Sequence, residues 1–255
     1  MAANQAEGTH SMVSTRLRPA HGGHFLAGLA LLAACAGCQS LPVLRVPMSQ
    51  GPFRIDGRLD EPCYATTKPL DAFVVAGLPD KKPAATKAWV FWQPDQLVFA
   101  FECEDATILA KEPTSDESDV DGQDRVELFL WNGRPQDTYF CIEIAARGAV
   151  HDYSARFYRR FDSSWQVPGL QYAVAPAAKG YCVEAAVSRS AMEACGFDLK
   201  PGENLNAGLF RADFHASQPG VEPDWITWVD ARSPKPDFHV AGSFGCFRLM
   251  APGRK

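Results

Sequence analysis

Short β-rich runs, several of them alternating apolar and polar residues with a period of two, recur along this chain and restrict the fold more than any other feature. The stretches are 88–92, 96–103, 124–131, 138–144, 148–153, 171–175, 181–187, 205–214, 225–229 and 244–249. A period of two puts successive side chains on opposite faces of a strand, whereas a helix needs a repeat near 3.6. Turn signals separate the stretches, such as Gln93-Pro94-Asp95 and Asn132-Gly133-Arg134-Pro135. With 20 Gly and 19 Pro in 255 residues, long helices and coiled coils are disfavoured. One short helix is expected, opened by a capping box from Ser190 to Glu193 and closed near Gly196. The fold class is therefore all-β, an antiparallel β-sandwich of jelly-roll or immunoglobulin-like type with one short helix.

The start of the chain reads differently. Arg16 and Arg18 precede an apolar run from Phe25 to Ala34, too short for a membrane-spanning helix, which takes about 20 residues. Leu32-Ala33-Ala34-Cys35 resembles the lipobox of bacterial lipoproteins. That resemblance implies a signal peptide over 1–34 and a lipid on Cys35. Cys38 is a poorer choice because its −3 residue is a cysteine. The expected product is exported and held to the bacterial membrane by lipid alone, on the periplasmic or cell-surface face. Residues 35–50 then read as a tether, 51–250 as the folded domain and 251–255 as a tail. Export permits disulfides among Cys63, Cys103, Cys141, Cys182, Cys195 and Cys246. None stands in a Cys-x-x-Cys pair, and Cys103, Cys141 and Cys182 sit in apolar strand-like runs, where a free thiol packs as a small hydrophobe.

The hairpin of 124–131 and 138–144 can be registered from its pattern. Val126, Leu128 and Leu130 share one face, as do Phe140, Ile142 and Ile144. Matching these faces pairs 126 with 144, 128 with 142 and 130 with 140. Glu127 then opposes Glu143, Phe129 opposes Cys141, and Trp131 opposes Tyr139. Directly opposed like charges destabilise a sheet by up to about 1 kcal/mol, so an arginine, a metal or a polar ligand should offset them. Arg211 and Arg147 are the candidates from sequence.

A formal charge of −5, from 25 basic and 30 acidic residues, gives no electrostatic basis for nucleic-acid binding. The chain has no Gly-x-Ser-x-Gly elbow, Walker loop or dinucleotide fingerprint. Glu127 and Glu143 could form a retaining glycosidase pair, which stands about 5–5.5 Å apart, but such a pair needs a deep cleft and no large loop insertion is evident to build one. No catalytic residue is assigned. Residues 116–124 carry five carboxylates and suggest an oxygen-rich calcium loop through Asp119, Asp121 and Asp124. The EF-hand spacing fails, because the place of its bidentate Glu falls on Leu128. His151, His215 and His239 stand near carboxylates, yet no two have metal-ligand spacing, which argues against zinc. Of the six Trp, Trp89 and Trp92 fall on opposite faces of one strand, so at most one is expected in the core.

Four blocks together resemble the carbohydrate-binding module family 9-like domains. They are IDGRLDEPCY at 55–64, with Tyr64 in the family's aromatic slot, DRVELFL at 124–130, GYCVEAAV at 180–187 and DFHVAGSFGCFRL at 237–249. The resemblance implies a β-sandwich that binds saccharide without transforming it and holds structural calcium, with glycoside hydrolases as expected partners. It implies Glu127 and Glu143 as hydroxyl-binding groups and Phe238 as a stacking ring, while Asp121 stands where the family has its other ring. Either Trp92, Trp165 or another ring replaces it, or this branch binds something else; Arg211 joins the ligand-binding candidates. Two rival readings compete. One is a haem-binding electron-transfer sandwich ligated by Met192 with His239 or Lys179. The other is a partner-docking surface protein with no small ligand, which would tolerate Glu→Gln changes at 127 and 143.

Overall fold

The computed structural model describes residues 41–134, 136–215 and 223–252. The expected signal segment and the expected lipidation site, Cys35, lie outside them. Thirteen strands are described: β1 Val43–Val46, β2 Val74–Val75, β3 Thr86–Gln93, β4 Gln96–Glu104, β5 Arg125–Trp131, β6 Tyr139–Ala145, β7 Val150–Arg156, β8 Arg160–Asp162, β9 Gln171–Ala177, β10 Gly180–Ser188, β11 Asn204–Asp213, β12 Asp224–Thr227 and β13 Gly245–Leu249. They form two sheets. The larger runs β1-β13-β11-β5-β6-β7-β8, with β12 beside β11 and β2 beside β12; the smaller runs β3-β4-β10-β9. All pairs are antiparallel except β1 with β13, so the β-sandwich expected from the sequence is present.

The core lies between the sheets. Val126, Leu128, Ile144 and Leu209 from the large sheet meet Val90, Phe99, Val183 and Ala185 from the small one, all buried in one cluster. The β5–β6 register is the one read from the alternation, with Glu127 opposite Glu143 and Phe129 opposite Cys141. Cys103, Cys141 and Cys182 are buried free thiols.

Three details depart from the sequence reading. The tether contains β1, which pairs residue by residue from Val43↔Cys246 to Val46↔Leu249. The Val-Leu-Arg-Val alternation is long enough to close the sheet edge, and Val46 is fully buried. The helix, α2 (Arg189–Ala194), begins earlier than expected. Ser188, still extended as the last residue of β10, is its N-cap and accepts the Ala191 amide, while Glu193 pairs with Arg189 instead of closing a box. A second helix, α1 (Pro62–Thr66), starts on Pro62, where the missing amide costs nothing.

The outer face of the small sheet is not open. Residues 53–64 fold over it and bury Trp89, Phe91, Val98 and Ala100 under Phe53, Ile55 and Tyr64. Glu184, fully buried on β10, fixes this cover. Its carboxylate accepts the Tyr64 hydroxyl at 2.8 Å and the amides of Asp56 and Gly57 at 3.1 and 3.2 Å. Gly57 has φ +78°, and a Cβ there would stand 2.9 Å from the Ala175 nitrogen, so no other residue fits without displacement. Two of the four motif blocks are thus one structural contact.

Candidate functional site

The outer face of the large sheet carries polar groups at one end and rings at the other. β5 presents Arg125, Glu127, Phe129 and Trp131 on this face by its period of two, and the paired strands add Glu143, Cys141, Tyr139 and Phe210. Segments at 115–121, 159–163, 223–225 and 235–239, among them the 3₁₀ turn, β8 and the start of β12, rise around it and line a cleft of ≈ 1390 Å³. A cleft is therefore present where no large insertion had suggested one, built from several short segments.

The opposed carboxylates lie on its floor, Glu127 1% and Glu143 3% exposed. Their offset is Arg125, whose Nε stands 2.9 Å from Glu127 Oε1 and 2.7 Å from Glu143 Oε2. The guanidinium is fixed from behind, Nη1 donating to the Asp121 carbonyl at 2.9 Å, and it lies 5.6 Å from the centre of the Trp225 ring. Tyr153 donates to Glu143 Oε1 at 2.6 Å. Burial, and then the charge of Glu143, push the Glu127 carboxyl up to about 8 against the opposing pull of Arg125.

The rings stand beside this polar floor. Phe238 stacks on Phe210 at 4.2 Å between centroids, and Trp225 meets Phe238 edge-on at 5.4 Å. His239 lies over Phe129 at 5.2 Å and meets Phe161 edge-on at 5.0 Å. Burial pushes His239 down to about 3, so it stays neutral with its Nδ1 3.1 Å from the Tyr139 hydroxyl. Asp237 ties the rim together, accepting from Arg159 Nη2 at 2.9 Å and Tyr158 at 2.6 Å. On the facing wall Lys81 pairs with Asp224 at 2.5 Å. Half-exposed Phe161 and partly exposed Trp225 are the rings a ligand can reach.

Several residues singled out from sequence lie elsewhere. Trp92 is 2% exposed in the inter-sheet core, its Nε1 donating to the Met250 carbonyl at 3.0 Å. Trp89 is buried as well, because the 53–64 cover closes the other face. A Trp92→Ala variant should lose about 3–5 kcal/mol of stability in chemical denaturation, as large aromatic truncations in a core do. Trp165 packs on Phe140 at 4.9 Å at the core margin, outside the cleft. Arg211 follows Phe210, which opposes Glu127, so it points to the inner face; there it pairs with Asp213 at 2.5 Å and Asp105 at 3.4 Å. Arg147 makes an exposed pair with Glu112.

The acidic loop does not converge on one point. It winds a 3₁₀ turn over Glu117–Gly122, so its carboxylates spread. Asp119 accepts from Thr114 at 2.8 Å, Asp121 lies 3.2 Å from His151, and Asp124 turns inward to accept the Leu109 and Phe214 amides. Met192 is buried in the inter-sheet core while His239 packs over the outer face of the large sheet, so the haem pair is not assembled. Arg125 was legible in principle, two residues from Glu127 on one strand face. The contribution of Trp225 depended on the loops and was not.

A family model described as Carbohydrate family 9 binding domain-like matches residues 55–251. No curated protein sequence matches the chain. A candidate carbohydrate-binding protein from Bacteroides uniformis is similar in structure, with TM-score 0.64 and 15% identity over 82% of this chain and 100% of that one. A family 9 carbohydrate-binding module from Caldicellulosiruptor kristjanssonii, in complex with cellotriose, gives 0.55 and 15% over 82% and 95%. The same organism's module in complex with glucose gives 0.54 and 15% over 83% and 98%. With the matched region spanning nearly all of the described strands, the chain belongs to the carbohydrate family 9 binding domain-like family.

Proposed function

We propose that the protein is a non-catalytic saccharide-binding lipoprotein whose ligand lies in the cleft on the outer face of the large sheet. The observation that carries this is the pairing of reachable rings, Trp225 and Phe161, with a floor of hydrogen-bonding groups at Glu127, Glu143 and Arg125. Sugars present flat apolar faces to rings and hydroxyls to charged side chains, and this cleft offers both. Its ≈ 1390 Å³ exceeds the roughly 300–1,000 Å³ of common small-molecule sites, which suits an oligosaccharide better than one ring. The bound saccharides in the Caldicellulosiruptor modules are consistent with that class. A docking surface would be flat and apolar, whereas this floor is charged.

The family and the way the carboxylates are held support binding without turnover. Arg125 lies between the two carboxyls and Tyr153 donates to Glu143, which braces the pair as a fixed set of hydrogen-bonding groups. The apolar run at 25–34 and the lipobox-like Leu32–Cys35 support export and anchoring through Cys35. At a membrane surface, such a module would hold polysaccharide near glycoside hydrolases that degrade it. Native affinity electrophoresis in gels containing cellulose derivatives, xylan, mannan or chitosan tests the reading. Retardation by at least one polysaccharide is expected, with no release of chromophore from aryl glycosides. Folded protein that no polysaccharide retards would contradict it.

A further inference from the structure

We propose that Asp121, Glu143 and His151 form a site for one divalent transition-metal ion of the zinc class on the floor of the cleft. Glu143 and His151 oppose each other across β6 and β7, so both side chains leave the same face of the sheet. Asp121 reaches them from the 3₁₀ turn that precedes β5. One donor atom from each lies within 4.8 Å of the others, and His151 Nδ1 stands 3.2 Å from Asp121 Oδ1. Ligand atoms around a tetrahedral zinc, with bonds near 2.0–2.2 Å, are about 3.4 Å apart. Small side-chain rotations would close the set.

A second, independent feature points to a ligand here. Glu143 is 3% exposed, and its Oε2 is buried without a hydrogen bond of its own. Arg125 Nε approaches that oxygen at 2.7 Å, but its single N–H is directed at Glu127 Oε1. The other carboxylate oxygen accepts from Tyr153 at 2.6 Å, the kind of outer partner that orients a metal-binding carboxylate. Asp121 and Glu143 set two carboxylates against the one guanidinium of Arg125, which Glu127 shares, so the group still favours a cation. The imidazole selects against calcium and magnesium, which take oxygen donors, and in favour of zinc, cobalt or nickel. Three protein ligands leave further coordination positions facing the cleft. No motif spacing signals this site, because its ligands come from a turn and two strands.

The site shares Glu143 with the floor of the proposed saccharide cleft, but its test reads metal alone, so either reading can fail without the other. Chelator-treated protein would be titrated with zinc chloride by calorimetry and with cobalt(II) chloride by visible absorption. One ion per chain is expected. His151→Ala and Asp121→Asn should each weaken binding by about tenfold or more with unchanged circular dichroism, while His215→Ala leaves binding unaltered. No uptake by the wild-type chain would overturn the proposal. So would uptake that survives both substitutions, or equal competition by calcium.

Discussion

Replacing Arg125 with Met is expected to lower stability by about 3–5 kcal/mol at pH 8, because breaking a buried ion pair from one side leaves charge uncompensated. The loss should be clearly smaller at pH 5. Arg125 is the cation that faces Glu127 and Glu143 at 2.9 and 2.7 Å, and all three are buried. With it gone, the buried Glu127 carboxyl must either stay ionised in a poor solvent or take up a proton, and the latter is easier in acid. The wild-type chain carries a milder form of the same dependence. Glu127 is raised to about 8 and Asp124 to about 7, both mainly by burial, so between roughly pH 4.5 and 7 the folded state holds protons that the unfolded state releases. Their contribution is present at low pH and lost as pH rises through those values. His239, pushed down to about 3, acts in the opposite sense and removes stability as pH falls below about 6.5. Urea unfolding at pH 5 and pH 8 separates the variants. An equal loss at both values, or a loss under 1 kcal/mol, would contradict this account of the pair.

Trp225→Ala should reduce saccharide affinity about thirtyfold, the effect of losing a central aromatic anchor worth about 2 kcal/mol. Trp225 is only partly exposed, set edge-on to Phe238 and beside the Arg125 guanidinium, so its flat surface is held in place before a ligand arrives. Its stability cost should stay near 1 kcal/mol, typical of a residue outside the core. Trp92→Ala provides the contrast, destabilising the sandwich with no direct effect on the cleft. Equilibrium titration with the retarding oligosaccharide, followed by calorimetry, measures the first effect. Unchanged affinity in the Trp225 variant would remove that ring from the site.

The strands and the Glu127–Glu143 opposition were legible because a period of two leaves one way to match two apolar faces. β1 was not, since a four-residue run beside prolines looks like a tether until β13 is there to pair with it. Trp92 illustrates a further limit. Alternation tells which residues share a face but not whether a distant segment covers the other one, and residues 53–64 do. Arg211 was misplaced for a related reason: its face depends on the β11–β5 register, which no local turn fixes. Asp121, Glu143 and His151 are separated by 22 and 8 positions, so only the folded strands bring them together. Motif blocks were informative about family yet silent on role. Glu184 and Tyr64 build the cover, whereas Glu127 and Phe238 face the cleft.

The most direct measurement is a crystal structure of the protein with the oligosaccharide that retards it. It should show a sugar ring over Trp225 or Phe161 with hydroxyls within hydrogen-bond distance of Glu127, Glu143 or Arg125. A saccharide seated instead on the covered face of the small sheet, or at an edge remote from β5 and β6, would contradict the account.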